Sequence, residues 1–194
     1  MLNAKYVISN GEAIQNPDAL GNAWFVDSLI YADGANAEME ALDSLDAGRA
    51  AVVDKPFQGI LKATAAKQPG DTIFETTYAP NRLTYHSQSA GNRVAVFSEI
   101  YFPWGWTATI DGKPAEIARV DYVLRALPVP AGKHTIEFRF EPQSQVTGER
   151  ISIASIIIVY MLIAGSIALA VVRYLRRKKG GKPEDNAPKA DELA

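Results

Sequence analysis

Cysteine is absent from the 194 residues. That excludes disulfides, thiolate metal sites and cysteine nucleophiles, and it suits either face of a bacterial membrane. Histidine is nearly absent: His86 and His134 stand in separate strand-like runs. Neither has a second His or a thiol at ligand spacing, so both read as structural and no metal is assigned. No G-x-S-x-G elbow, phosphate-cradling P-loop, G-x-G-x-x-G turn or H-E-x-x-H pair occurs. The residues alone therefore nominate no catalytic group and no cofactor. The N-terminus, Met1-Leu2-Asn3-Ala4-Lys5-Tyr6-Val7-Ile8, lacks both the basic start and the long apolar stretch of a signal peptide.

One further absence organises the chain. From Ile151 to Val172 there is no charged residue. At 1.5 Å per residue this run makes a helix of about 33 Å, enough to cross a hydrocarbon core of about 30 Å. A basic collar follows at once: Arg173, Arg176, Arg177, Lys178, Lys179 and Lys182. Residues 1–150 carry 13 Lys and Arg against 18 Asp and Glu, whereas residues 151–194 carry 7 against 4. Positive charge beside a span marks its cytoplasmic end. The sequence thus predicts three parts: an extracytoplasmic β-rich domain over 1–148, a transmembrane helix over 149–174 and a basic, disordered cytoplasmic tail over 175–194. The expected partner is the lipid bilayer, with the collar facing anionic headgroups; juxtamembrane charge explains the basic block without nucleic acid. A domain placed outside ahead of its own span, with no signal peptide, also needs upstream transmembrane segments to start its translocation. The expectation is the C-terminal piece of a longer membrane protein. The inverted orientation would keep the domain in the cytoplasm, and a reporter fused to the tail separates the two.

Before the span the texture is mainly β. Lys5–Ile8 reads as a strand, Glu12–Asn22 as a loop, and Ala23–Leu29 as a buried strand. Asn36–Ala47 reads as a helix with Asn36 as N-cap and with Met39, Leu42 and Leu45 on one face. Short strands follow at Thr72–Ala79, Arg82–Ser89, Arg93–Tyr101 and Trp106–Ile110. Asp111-Gly112 is a hairpin signal, and Lys113–Val120, Tyr122–Val129 and His134–Phe140 complete the series. Strands at this spacing, with turn residues between them, predict an antiparallel β-sandwich of jelly-roll-like type with one short helix. Glu141–Arg150 reads as the linker into the span.

Two groups of residues invite a chemical reading. The carboxylates Asp27, Glu75, Glu99, Asp111, Asp121 and Glu137 offer material for an acid and base pair, although a solvated face or a turn accounts for each. Tyr101-Phe102-Pro103-Trp104-Gly105-Trp106 is the densest aromatic cluster. Its rings suit stacking on sugars, the membrane interface, or a core and corner in which Pro103 and Gly105 turn the chain and Trp106 packs inside.

Four segments in order closely resemble the C-terminal end of the YfhO family of large bacterial polytopic membrane proteins. They are Ser98 to Trp106, Ile110 to Lys113, Val120 to Ala126 and Val129 to Ile136. Leu2 to Ile8 and Gly21 to Val26 look like the segments just upstream in that family, so the resemblance covers nearly residues 2–175, and it is strongest to members from Bacteroidetes. It implies a helical core of the GT-C glycosyltransferase type using lipid-linked sugar donors, with members associated with glycosylation of cell-wall polymers. The catalytic acid of GT-C proteins lies in an early loop to which no residue here corresponds, so no catalytic residue is carried over. The resemblance makes this domain an accessory one, with Tyr101, Trp104 and Trp106 as candidate contacts to an envelope glycan. A structural or partner-binding domain with no glycan ligand is the alternative.

Overall fold

The computed structural model describes residues 1–62 and 65–180. It divides into two compact units, Met1–Gln143 and Ser144–Ala194. The first unit is mainly β. One sheet has the order β10-β9-β13-β7-β6, from Lys113–Ala115 (β10), Trp106–Ile110 (β9), Gly132–Phe140 (β13), Arg82–Ser89 (β7) and Thr72–Ala79 (β6). The other has the order β3-β8-β12-β11-β5-β4, from Ala23–Val26, Arg93–Ile100, Leu124–Val129, Ala118–Val120, Ala50–Asp54 and Ser28–Ala32. Pairing is antiparallel except between β4 and β5, which run parallel.

Alternation builds the first sheet. On β7, Leu83, Tyr85, Ser87 and Ser89 are buried, and on β13 Ile136 and Phe138 are buried. These side chains meet Phe25, Phe97, Leu127 and Val129 of the second sheet in one core. Tyr85, Phe97 and Phe138 pack edge to face there, with centroids 4.9 to 6.0 Å apart. Apart from its edge strand β4, the second sheet is buried on both faces, so its strands read as continuous apolar runs such as AWFV and AAVV. Its far face packs Trp24, Val26, Val53, Val96 and Val120 under Phe57, Ile60 and Leu61.

Several local expectations change. Glu12–Gln15 (β2) is a strand, paired with Tyr6–Ser9 (β1) in a separate ribbon, because Asn10 and Gly11 both take positive φ and turn the chain back. The run 23–29 splits at Asp27 into β3 and β4. The helix is shorter, Ala35–Leu42 (α1), and starts after Gly34 with no side-chain cap. It is held by Glu38, which is fully buried, while Met39 is exposed. Lys113–Val120 is two strands, β10 and β11, in different sheets. The chain changes sheets between them, with Ala115 and Ile117 packed against the core between the sheets.

The second unit is dominated by one helix, Gln143–Gly180 (α2), so the expected linker is helical from Gln143. Its stretch Thr147–Lys178 is long and apolar enough to cross a membrane, and it is unburied within the structure. The basic residues Arg173, Arg176, Arg177 and Lys178 lie exposed on it. Lys179 belongs to the helix by its backbone, but its side chain falls outside what is described. Of the tail expected over 175–194, residues 175–180 continue the helix, and 181–194, Lys182 among them, lie outside the described residues.

Candidate functional site

The aromatic cluster forms the connection between β8 and β9. Its members have separate fates. Tyr101 is half-buried: its N–H donates to Val123 O at 2.7 Å and its ring packs edge-on to Phe57 at 5.5 Å. Trp106 is half-buried too, because the Arg125 guanidinium lies over its ring at 4.2 Å and Phe140 tilts against it at 5.3 Å. Trp104 is 69% exposed and meets Phe102 at 5.2 Å, edge to face. Gly105 makes this possible. Its φ of +98° suits glycine alone, and a Cβ there would sit 2.8 Å from the Phe140 ring and 3.1 Å from Pro142. The Glu141 N–H donates to Gly105 O at 2.7 Å, tying the turn to the end of β13.

The carboxylates sort themselves by partner. Asp27 bonds Arg93, whose side chain is fully buried, and accepts the Lys67 N–H at 2.7 Å. That backbone bond, followed by Arg93 and Arg49, holds its carboxyl below the usual range. Glu137 lies between Arg82 and Arg139, and Arg139 chiefly lowers its pKa. Asp121 takes the turn, one of its two expected settings, but it is withdrawn from solvent. It is 2% exposed at φ 48°, in the turn between β11 and β12, and its Oδ1 accepts the Val52 N–H at 2.8 Å. Burial pushes its pKa up to about 7. Beside it, Glu38 accepts the Tyr122 N–H at 2.7 Å and pairs with Arg119 at 3.1 Å. Glu75 and Glu99 share an interior neighbourhood with Arg125 and Tyr85. Burial raises Glu99 and Tyr85 and lowers Arg125.

The two histidines have separate partners on the first sheet, His86 on its outer face beside Thr135 and His134 on the alternate face at the strand end, in register with Ser87. His86 Nδ1 lies 3.2 Å from Thr135 Oγ1. Both nitrogens of His134 face oxygens, Asp111 Oδ2 at 2.6 Å and Ala131 O at 3.1 Å. Only the imidazolium satisfies both acceptors, and the Asp111 bond raises the His134 pKa while lowering that of Asp111. Asp111 also accepts the Thr135 N–H at 2.8 Å, so it fastens the β9–β10 turn to β13. An open cleft of about 310 Å³ is lined by both histidines. Phe74, 55% exposed, stands in it with Gln88, Lys133, His86, His134 and Asp111. Register builds the cleft, since Phe74 pairs with His86, and Thr72 and Lys133 both pair with Gln88. These residues lie far apart in sequence, and only the alternation on β7 and β13 hinted at a shared face.

Among the described residues no three His, Cys, Asp or Glu side chains gather as a metal centre requires. Comparison with known proteins gives one result. A family model described as "Bacterial membrane protein YfhO" matches residues 50–152, from β5 through the rest of the sandwich to the start of the uncharged run. No curated protein and no solved structure matches.

Proposed function

The chain belongs to the YfhO family of bacterial membrane proteins, and on that premise we propose that its β-sandwich holds a cell-envelope glycan beside the cytoplasmic membrane. The domain lies on the extracytoplasmic side and the basic end of the helix in the cytoplasm. Its role is accessory to transfer of sugar from a lipid-linked donor, the chemistry that the family resemblance implies. The cleft over β6, β7 and β13 supports this reading best. An exposed aromatic ring offers a face for sugar C–H groups. Around Phe74, Gln88, Lys133 and Asp111 supply an amide, a cation and a carboxylate for hydroxyl groups. Of the aromatic cluster, Trp104 is the most exposed ring, at 69%. The test is calorimetric titration of the chain in detergent with soluble envelope-glycan fragments. Phe74→Ala and Lys133→Ala each weaken binding about tenfold, roughly 1.4 kcal/mol, and leave the melting temperature unchanged. Absence of binding across the fragment panel, or binding by Phe74→Ala equal to the unmodified chain, refutes the reading.

A structural or partner-binding role has its own support. In the β1–β2 ribbon, Tyr6, Val7, Ile8 and Ile14 are each more than half exposed. A two-stranded ribbon is marginal by itself, and an apolar surface of this kind suits a protein partner such as other membrane segments. Photo-crosslinking from Ile8 in native membranes identifies such a partner if one exists.

A further inference from the structure

The tip formed by Ile100, Phe102 and Trp104 is apolar and exposed, at 54%, 46% and 69%. It is also fixed. Pro103 and Gly105 shape the turn, Phe102 continues inward to Phe140 at 6.5 Å, and Gly105 O accepts the Glu141 N–H. The turn is therefore built on Glu141 and Pro142, the two residues before the helix that begins at Gln143. The uncharged run starts at Ile151. The eight helical residues between span at most about 12 Å, and the headgroup layer adds about 5–8 Å on each side of the hydrocarbon. Chain length alone keeps Pro142, and the turn bonded to it, close to the bilayer surface.

From this we infer that the Ile100–Phe102–Trp104 tip is a second membrane contact, resting in the headgroup layer beside the span. Trp is the side chain most at home there, with an apolar ring and one N–H to donate. Phe102 and Ile100 add apolar contact below it, and the rigid turn presents all three at little entropic cost. The span anchors the domain, and the aromatic tip limits its rotation about the anchor. The inference is independent of the glycan reading, which rests on a different surface, and it holds for either orientation of the helix.

The test uses the whole chain in vesicles of phosphatidylcholine and phosphatidylglycerol, with bromine on shallow or on deep acyl carbons. Three tryptophans are present, at positions 24, 104 and 106, and none lies in the helix. Trp24 is buried at 8% exposure, so quenching by lipid bromine reports on the turn. Shallow bromine quenches several-fold more than deep bromine, and Trp104→Ala removes most of that quenching. Its circular dichroism and melting temperature stay as in the unmodified chain, since the ring lies outside the core. Trp104→Phe loses the fluorophore but keeps the restricted domain rotation, which a spin label on Thr107→Cys reads in this cysteine-free chain. Quenching that is unchanged in Trp104→Ala overturns the inference. So does loss of glycan binding or of self-association in that variant without any lipid quenching, which would assign the tip to a sugar or to a second copy.

Discussion

Replacing Gly105 by alanine tests how firmly the aromatic turn is clamped. Two costs add. A non-glycine residue at φ +98° costs about 1–3 kcal/mol in backbone strain. The new Cβ would also lie 2.8 Å from Phe140 Cε2 and 3.1 to 3.2 Å from Pro142 Cβ and Cα. The Phe140 ring cannot retreat freely, because it packs on Trp106 at 5.3 Å and on Phe102 at 6.5 Å. Crowding of this kind costs about 1–3 kcal/mol, so Gly105→Ala should lose roughly 2–6 kcal/mol in all. Gly112→Ala is the control. It has a φ of +76°, but a Cβ there meets nothing within 4 Å, so strain of about 1 kcal/mol acts alone. Thermal unfolding of the chain in detergent, followed by tryptophan fluorescence, reads both variants. At roughly 2–4 °C per kcal/mol, Gly105→Ala should melt several degrees below Gly112→Ala. Equal melting temperatures would show that the turn lifts away from Pro142 at no cost, and the clamp would be refuted.

Asp121→Asn should stabilise the domain at neutral pH. The native carboxyl keeps its proton up to about pH 7, whereas the unfolded one releases it near 3.8. Stability therefore falls as pH rises through that window, by about 4 kcal/mol in total; the amide keeps the bond from Val52 and tolerates positive φ, so the variant's pH profile should be flat, and an unchanged slope would refute the assignment. The His134–Asp111 pair carries two dependences of opposite sign. The raised His134 contributes fully below 6.5 and loses its contribution as pH rises through its folded value, while the lowered Asp111 contributes above 3.8 and fails as pH falls through its own. Asp111→Asn should remove both dependences in denaturant titrations across pH. Glu38→Ala leaves the Tyr122 N–H unpaired and Arg119 with Asp54, at 2.9 Å, as its remaining carboxylate. It should cost about 2–3 kcal/mol, and Glu38→Gln should recover part of that loss in the same melting assay.

The sandwich was legible because strands with one wet face announce themselves. On β7 and β13 the alternation named the buried side chains, and Asp111-Gly112 named the hairpin. Two-sided burial hides what lies on the second face. The runs in β3, β5 and β8 look alike whether a helix or a loop covers them, and nothing local marks the segment through Phe57, Ile60 and Leu61 as that cover. The helix α1 misled for a related reason. Its apolar periodicity pointed to Met39, but its burial is set by Glu38, through a partner 81 positions away at Arg119. A residue-by-residue reading sends Glu38, Arg93 and Asp121 to solvent, since charged side chains are seldom buried unless paired, and the pairs form only once the sheets are assembled. The strand readings break at Asp121, but the conformation of the Asp121-Tyr122 turn was not legible. Both residues have positive φ but lack the Asn-Gly or Asp-Gly signature, and the bonds from Val52 and to Glu38 hold them there.

The aromatic cluster shows where composition stops being informative. Tyr101, Trp104 and Trp106 lie within six residues, yet what each ring can touch is decided by residues outside that stretch. Arg125, on β12, covers one face of Trp106, and Phe140 tilts against the ring. Phe57 takes up Tyr101. Trp104 stays free because Gly105 must sit against Phe140 and Pro142, which turns the preceding residues outward. The free ring is thus placed by the end of β13, the strand that leads into the helix. If the ring's task were to bind a glycan alone, any rigid loop of the sandwich would serve as its support. The bromine-quenching experiment therefore decides whether a ring fixed to the last residues before the helix meets lipid or sugar.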